Sequence, residues 1–356
     1  IGARAVIEGT GRVVKFELLP LEELQPSGRP RIDVLASLSG IFRDSFSNVV
    51  DLLDDLFEAA AEAEEPIERN YIRKHSLALK ARGTERPASR LFSNPAGDYG
   101  SMVNERVGAG EWEEADELGE TWRGRNAFSF GRGEERRGSE RSEVLEELLS
   151  TTSRIVQTID SVEYGLTDIQ EYYANTGALK TAAEGARKRR RRIEVGDAAA
   201  DLDDPSTTRV GVSVVEAYSR GEVEPKELEA TLRMEYRTKL LNPKWAEAMA
   251  NQGSGGAYEI SQRFTAMVGW GATAGFTDDF VYEGAYERYV EDSEMCEKLT
   301  RSNPEAARNM VKRLLEAHGR GMWESASEEQ LDRLKEIYQD AEDVVELGVR
   351  ASATQA

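Results

Sequence analysis

The sequence predicts an α/β N-terminal part built from Rossmann-like strand–helix units, followed by a mostly α-helical C-terminal part. Residues 12–18 (RVVKFEL) and 31–38 (RIDVLASL) are short apolar runs typical of β-strands. The second run leads through Ser39-Gly40 into a helical spacing of apolar residues over 44–65. Strand, glycine turn and long helix form the unit from which α/β sheets are built. Beyond Pro225 the apolar residues keep helical spacing, which predicts the helical part.

The N-terminal part, residues 1–140, is predicted to continue this pattern and to end in a Gly- and Arg-rich loop over 123–140. We expect that loop to be either a mobile segment or a clamp over a ligand, and a plain surface loop is the alternative. Pro66 suits the first turn of a second helix. The other predicted elements are helices at 44–65 and 66–82, a strand at 90–94 and a loop at 95–100.

The middle part, residues 141–224, is predicted to be helical with one short strand. Its last predicted helix ends in a basic run, 187–192 (RKRRRR). Such a run is found in nucleic-acid patches. A cationic helix C-terminus or a partner-docking face is the preferred interpretation, and the acidic segment 197–204 could neutralise it. The predicted elements are helices at 142–163, 167–174 and 177–192 and a strand at 209–216.

Residues 225–350 are predicted to form a helical C-terminal domain, and 351–356 a frayed tail. Pro243 and Pro304 suit the first turns of two of its helices. The predicted helices lie at 225–240, 243–251, 255–269, 277–290, 304–318 and 327–347.

Composition excludes several classes of function. The net charge of the 356 residues is −20, and the cations are 11 lysines and 35 arginines. This acidic, Lys-poor surface suits a protein kept in high salt, where charge repulsion is screened; an acidic cytoplasmic protein from a GC-rich genome is the alternative. Strong nucleic-acid binding is not expected, because it needs a net basic face. No apolar stretch is long enough to span a membrane.

Few residues offer standard catalytic chemistry. Cys296 is the one cysteine, so no intrachain disulfide is possible, and a cytoplasmic location is expected. With His75 and His318 as the only histidines, a Cys/His zinc site is nearly excluded. No Walker A loop is present, so ATP hydrolysis by this chain is not expected. The chain begins with Ile1, and we expect it to be a processed product or a piece of something longer.

The segment 163–175 (EYGLTDIQEYYAN) concentrates polar and aromatic residues. Asp168 could simply cap a helix that starts beside it. Glu171 is harder to explain by capping. A carboxylate that faces a cavity could take protons from a ligand or pass on a hydrated metal ion. Tyr172 and Tyr173 could hold a flat apolar ligand, although aromatic residues at helical spacing more often belong to a core.

Ordered blocks of sequence resemble the large subunit of magnesium chelatase and cobaltochelatase, and they cover nearly the whole chain. Separate blocks in one order are far more specific than one short motif. They are RPRIDVLASLSGIFRDSF (29–46), NYIRKHS (70–76), RLFSNPAGDYGSMVNE (90–105), RGRNAFSFGRG (123–133), YGLTDIQEYYANTGALK (164–180), RTKLLNPKWAEAM (237–249), GWGATAG (269–275), FVYEGA (280–285) and RLLEAHGRGMWE (313–324).

The resemblance implies a metal chelatase, a ligase that forms nitrogen–metal bonds. The family's large subunit is much longer, so this chain would be its C-terminal third or less. The resemblance also implies a tetrapyrrole cavity built by several domains. Its expected partners are AAA+ ATPase subunits, which hydrolyse ATP, and adaptor subunits. No permanently bound cofactor is expected.

In magnesium-type members a histidine aligns with Glu171, and in cobalt-type members the same stretch has a tyrosine pair followed by glycine, closer to Tyr172-Tyr173 and Gly177 here. The C-terminal blocks are more magnesium-like. With a high-salt source, an organism that makes cobalamin but no chlorophyll is the expectation. Co²⁺ for cobalamin synthesis is placed slightly ahead of Mg²⁺ for chlorophyll synthesis.

These interpretations select the candidate residues. Glu171 and Asp168 are predicted to be catalytic. For Arg43 the alternative is a salt bridge to an acidic helix, and Ser93 and Asn94 are turn formers by default. A non-catalytic tetrapyrrole-binding or motor-docking module is the alternative function. The residues predicted to bind substrate are Tyr172, Tyr173, Asn175, Arg43, Ser93 and Asn94.

Overall fold

A computed structural model describes residues 1–24, 28–159, 165–196, 205–216 and 225–354. The chain divides into two compact units, and each is built from three segments that alternate along the sequence. Unit 1 consists of Ile1–Met102, Gly119–Ser153 and Ala182–Val210, and unit 2 of Val103–Leu118, Arg154–Thr181 and Gly211–Ala356. In the described residues no helix combines the length and apolar composition that a bilayer crossing requires.

The strands are short. They are β1 (Ala3–Ile7), β2 (Val13–Leu18), β3 (Ala36–Ser37), β4 (Leu91–Ser93), β5 (Phe128–Ser129), β6 (Ser139–Glu140), β7 (Arg154–Ile159), β8 (Gly211–Glu216) and β9 (Lys226–Glu227).

Helices make up most of the chain, and π-helical turns interrupt them in two of the described stretches. The α-helices are α1 (Leu21–Leu24), α2 (Gly40–Ser45), α3 (Ser47–Glu62), α4 (Tyr71–Ala81), α5 (Val103–Ala109), α6 (Ala115–Arg125), α7 (Ser142–Thr151), α8 (Gln170–Tyr172), α9 (Ala178–Val195), α10 (Pro205–Thr208), α11 (Leu228–Thr238), α12 (Pro243–Ala250), α13 (Ser254–Ala274), α14 (Asp279–Tyr286), α15 (Ser293–Ser302), α16 (Pro304–Gly319) and α17 (Glu328–Thr354). The π-helices are π1 (Tyr173–Gly177) and π2 (Glu287–Glu291).

Unit 1 confirms the predicted strand–helix architecture. Strands β3 and β4 run parallel, joined through α2, α3 and α4, and β5 and β6 extend the sheet antiparallel. The turn predicted at Ser39 is the start of α2, where the Ser39 hydroxyl accepts a hydrogen bond from the Phe42 N–H. The apolar face of α3 packs on the sheet, and Val50, Phe57 and Leu91 are buried at the centre of the core.

Unit 2 is organised around α13. This helix is buried on nearly all sides, from Phe264 through Trp270 to Ala274, because other helices surround it. Helices α5, α12, α15, α16 and the π-helix π1 pack against it. A smaller sheet has β7 and β8 in parallel register, from Arg154 opposite Gly211 to Ile159 opposite Glu216, with β9 antiparallel to β8. The predicted helical C-terminal part is therefore confirmed.

The helix predicted over 142–163 is wrong beyond residue 151. The helix ends at Thr151, and residues 154–159 form β7. Ile155 and Ile159 are four apart, which imitates helical spacing, but the stretch RIVQTI is rich in β-branched residues that favour a strand. Residues 160–163 of that prediction lie outside the described part of the chain.

Other element boundaries also differ from the prediction. The second helix begins at Tyr71, not Pro66, because Asn70 supplies the cap by accepting a hydrogen bond from the Arg73 N–H. Segment 123–140, predicted as a loop, includes β5 and β6. The helices predicted at 167–174 and 177–192 form one run from Gln170 to Val195, through π1. Helices α5, α6 and α15 were not predicted.

Candidate functional site

The turn that leads into α8 is held by the Glu235 carboxylate and the Trp270 indole. The Glu235 carboxylate of α11 accepts hydrogen bonds from the Leu166 N–H at 2.6 Å and from the Thr167 N–H at 2.9 Å. The Thr167 hydroxyl donates to the same carboxylate at 2.8 Å. From α13, the Trp270 indole N–H donates to the Leu166 carbonyl at 3.1 Å. The turn is thus fixed to two helices of unit 2.

Asp168 belongs to an ion-pair network. Its Oδ2 lies 2.5 Å from Lys239 Nζ and its Oδ1 lies 2.6 Å from Arg263 Nη2. Oδ2 also accepts a hydrogen bond from the Gly165 N–H at 2.8 Å. The Arg263 guanidinium stacks over the Trp245 ring of the NPKW block, 5.0 Å from its centroid. Asp168 therefore joins the turn to α11 and α13 through charge-assisted hydrogen bonds.

The π-helix π1 begins within the predicted tyrosine pair. Tyr173 is fully buried, edge-on to Trp270 with 6.5 Å between ring centroids. Burial raises the pKa of the Tyr173 hydroxyl, which donates to Gln170 Oε1 at 3.3 Å. The close fit requires glycine at 269, because a Cβ there would lie 2.6 Å from the Tyr173 ring. Single π-helical turns inside α-helices are frequent at functional sites.

Glu171 is exposed, two residues before the start of π1. In the described parts of the chain its carboxylate has no hydrogen-bond or ion-pair partner, whereas its backbone carbonyl accepts a hydrogen bond from Asn175 Nδ2 at 3.0 Å. Tyr172 and Asn175 are half-buried beside it. A carboxylate without a counter-ion stays available to take a proton or to meet a cation.

A polar cavity of about 380 Å³ opens next to this segment, with Gln170 in its wall. Gln170 Nε2 donates to Gln262 Oε1, and on α16 Asn309 Nδ2 donates to Ser261 Oγ at 2.7 Å. The buried Arg313 also lines the cavity. Amides and hydroxyls thus dominate the wall, and they can orient a ligand by hydrogen bonds.

In unit 1, Arg43 is buried and satisfied within the protein. Its Nη1 donates to the Asn94 carbonyl at 2.5 Å and to the Ser93 hydroxyl at 3.4 Å. Its Nε and Nη2 bind the Asp44 carboxylate at 2.8 and 3.1 Å. The guanidinium also lies 5.7 Å from the Tyr99 ring centroid. Arg43 thus forms an ion pair with its neighbour Asp44 in α2, not with a separate acidic helix.

Ser93 and Asn94 complete this cluster at the end of β4. Ser93 Oγ donates to the Leu38 carbonyl at 2.8 Å, which links the ends of the parallel strands. Asn94 Nδ2 donates to the Gly100 carbonyl at 2.8 Å and closes the loop 95–100. Both residues are buried. The eight predicted residues thus fall in two groups, with Arg43, Ser93 and Asn94 in unit 1 and the rest in unit 2.

Comparison with known proteins decides the family. The family model described as CobN/Magnesium Chelatase matches residues 1–330. This chain belongs to the CobN/magnesium chelatase family. A magnesium-chelatase subunit of Chlorobaculum parvum is 40% identical over 97% of this chain and 26% of its own length. The aerobic cobaltochelatase subunit CobN of Sinorhizobium is 30% identical over 88% of this chain and 23% of its own length.

A solved structure of the same family has the same fold. The catalytic subunit of cobaltochelatase from Mycobacterium tuberculosis superposes with a TM-score of 0.84 at 28% identity, covering 96% of this chain and 27% of that one. The chain spans about a quarter of the length of the relatives it matches. The chelatase resemblance of the ordered sequence blocks is confirmed.

Within this chelatase-family chain, the basic run 187–192 is used internally. Arg189 pairs with Glu146 at 2.9 Å and with Glu120 at 2.8 Å, and Arg190 pairs with Glu147 at 3.2 Å. These partners lie on α6 and α7 in unit 1. The acidic segment 197–204, expected as a possible neutralising partner, lies outside the described residues. The ion pairs leave fewer cations for a nucleic-acid surface.

Sequence reasoning missed the residues that support the segment around Glu171. Glu235 and Arg263 come from helices far along the chain, and no local pattern marks them. Lys239 lies in the recognised block 237–249, which was its one signal. Trp270 lies in the recognised GWGATAG block, which was its one signal. Across the described residues no group of three or more His, Cys, Asp or Glu side chains could hold a metal ion. In this segment the Asp168 carboxylate is occupied by Lys239 and Arg263, and the Glu171 carboxylate is exposed.

Proposed function

We propose that this chain is part of the large subunit of an ATP-dependent chelatase that inserts a divalent metal ion into a tetrapyrrole. The observation that carries the proposal is the family match across residues 1–330, with magnesium- and cobalt-chelatase subunits among the relatives. AAA+ partner subunits would hydrolyse the ATP, since the sequence has no Walker A loop. Removing water from the metal ion is the expensive step that ATP hydrolysis would drive.

In this proposal Glu171 is the group that acts on the substrates. Its exposed carboxylate takes pyrrole protons or passes on the incoming hydrated metal ion. Tyr172 and Asn175 flank it and contact the ring. The Asp168 carboxylate, occupied by Lys239 and Arg263, acts by holding the turn before α8.

The buried residues of the predicted site have supporting parts in the proposal. Tyr173 packs behind the Glu171 segment against Trp270. Arg43, Ser93 and Asn94 shape the end of the parallel strands in unit 1, where ligands of open α/β sheets commonly bind.

The metal is proposed to be Co²⁺, with Mg²⁺ as the alternative. The cobalt preference rests on the acidic, Lys-poor composition and on Tyr172-Tyr173 followed by Gly177, which is similar to cobalt-type members. Identity favours magnesium, since the magnesium-chelatase relative is 40% identical and CobN 30%. Insertion assays with each metal, ATP and the partner subunits decide between them, because only the cognate ion gives the metallated absorption spectrum.

A binding titration tests the proposal itself. A metal-free tetrapyrrole is added in high salt to this chain and, in parallel, to the longer protein that contains it, and its visible absorbance is followed. Saturable binding by both shows that the chain holds a self-sufficient site, and binding by the longer protein alone assigns it a part of a shared site. If neither binds, the chelatase proposal is overturned.

A further inference from the structure

Unit 2 has a second cavity, also of about 380 Å³, beside the C-terminal end of α5. It is lined by Lys312, Leu315 and Glu316 of α16, by Arg320 just after that helix, and by Tyr338 of α17. This volume lies near the lower end of small-molecule sites, which are roughly 300–1,000 Å³. The wall therefore combines two cations and one carboxylate with an aliphatic and an aromatic side chain.

Charged side chains converge on Gly110, the left-handed residue that ends α5. A Cβ at Gly110, whose φ is 80°, would lie 3.5 Å from Glu316 Oε1 and 4.0 Å from both Lys312 Nζ and Arg320 Nη2. Arg313 Nη1 donates to the Val107 carbonyl at 2.8 Å. Cations at a helix C-terminus are stabilised by the helix dipole. This arrangement explains the position of Arg313 and Arg320.

Lys312 is not used in the same way. The Glu316 carboxylate is already shared by Arg313 at 2.5 Å and Arg320 at 3.3 Å. Arg320 also donates to the Gly110 carbonyl at 3.0 Å and lies 3.8 Å from the Trp112 ring centroid. Among the described residues, Lys312 Nζ has a long hydrogen bond of 3.4 Å to the Ala109 carbonyl and no carboxylate within ion-pair distance. One charge in the cavity wall is therefore left uncompensated.

We propose that this cavity binds a small organic anion, whose carboxylate or phosphate group meets Lys312 and whose apolar body packs against Leu315 and Tyr338. Two cations face one carboxylate in this wall, and that carboxylate is already paired with Arg313 and Arg320, so the local charge is positive and concentrates anions. Burial lowers the pKa of Lys312 and the neighbouring Arg313 lowers it further, while Glu316 opposes them. A bound anion offsets the electrostatic repulsion between Lys312 and Arg313. The inference is independent of the proposed chelatase function.

Competitive labelling of lysines tests the site in the full chain. Trace acetic anhydride acylates neutral amines, and mass spectrometry reads the labelling rate of each lysine with sodium benzoate, inorganic phosphate or sodium chloride at equal ionic strength. An anion that raises the pKa of Lys312 by one unit lowers its neutral fraction, and therefore its labelling rate, about tenfold. Protection by benzoate identifies a carboxylate ligand, and protection by phosphate identifies a phosphate ligand.

Lys298 is the matched control, because it is a half-buried lysine of unit 2 whose Nζ donates to Asn251 Oδ1 at 2.6 Å. Its labelling should not respond to either anion. The protecting anion should also raise the melting temperature of the wild type and of K298M, but not of K312M. Protection by chloride equal to that by benzoate and phosphate, or equal protection of Lys298, overturns the proposal. The labelling experiment decides even if K312M does not fold.

Discussion

Asp168 and Arg263 form an ion pair of 2.6 Å that ties the turn before π1 to the central helix α13. Both side chains are largely buried, with 16% and 12% of their surface exposed. Lys239 completes the network from α11. The network of Asp168, Arg263 and Lys239 thus connects three segments that are far apart in sequence, next to the exposed Glu171.

Replacing Asp168 by Asn should destabilise the protein. The variant removes the carboxylate partner of Lys239 and leaves Arg263 with only the exposed Glu259. Hydrogen bonds to charged groups contribute about 2 kcal/mol each. We expect a loss of about 2 kcal/mol in the free energy of unfolding, measured by urea denaturation. E259Q is the control, because Glu259 pairs with the same Arg263 but is 52% exposed, and an exposed pair contributes less than about 1 kcal/mol. Equal losses in both variants would contradict the structural part assigned to Asp168.

Replacing Glu171 by Gln should separate binding from chemistry. The amide cannot take a proton, so metal insertion should fall roughly 100-fold, the usual contribution of a general base. Tetrapyrrole binding and the unfolding free energy should stay near the wild-type values, because the carboxylate is exposed and has no partner among the described residues. E247Q, at an exposed glutamate of α12, is the control. Unchanged insertion by E171Q would remove Glu171 from the catalytic site.

The sequence predicted elements best where local signals agree with packing. Pro243 after Asn242 and Pro304 after Asn303 mark helix starts to the residue, because each Asn side chain caps the helix that follows. The end of the helix at Thr151 was missed, since Ile155 and Ile159 keep helical spacing while β7 gains its stability from pairing with a strand far along the chain. Such long-range pairing leaves no local signal.

The candidate site shows the same division. The block around Glu171 could be recognised locally, and its polar character is visible in the sequence. Glu235 and Arg263 could not be recognised, because they reach the turn from other helices and look like ordinary helix-surface charges. The π-helix was also missed, since it depends on the close packing of Gly269 and Gly177 with their neighbours.

Replacing Gly269 by Ala should disturb the packing behind Glu171. The added methyl would lie 2.6 Å from the rigid Tyr173 ring, so the ring or π1 must shift. Overpacking of this kind costs about 2 kcal/mol, and we expect that loss in the free energy of unfolding. G255A is the matched control in the same helix, because nothing lies within 4 Å of its new methyl. It should be neutral or stabilise the helix by about 0.5 kcal/mol. Equal stability of the two variants would show that π1 shifts to accommodate the added methyl group without loss of stability.

Asp54 of α3 should make the stability of unit 1 depend on pH. Burial raises its pKa to about 6, although Arg86 opposes the shift and the nearby Glu58 and Glu134 add to it. Arg86 Nη2 lies 2.7 Å from Oδ2, whereas Oδ1 is buried with no hydrogen-bond partner among the described residues. The charged carboxylate is thus only partly compensated.

The sign follows from the raised pKa. Between about pH 4 and pH 6 the folded state holds the Asp54 proton more tightly than the unfolded state, so stability falls as the pH rises through this window. From pH 5 to pH 7.5 the wild type should lose about 1 kcal/mol relative to D54N, which has no titrating group at this position. Urea denaturation of both proteins at the two pH values measures the difference, and the titrating groups that the two proteins share cancel. If the difference in unfolding free energy between the wild type and D54N were the same at both pH values, Arg86 would fully compensate the Asp54 carboxylate charge.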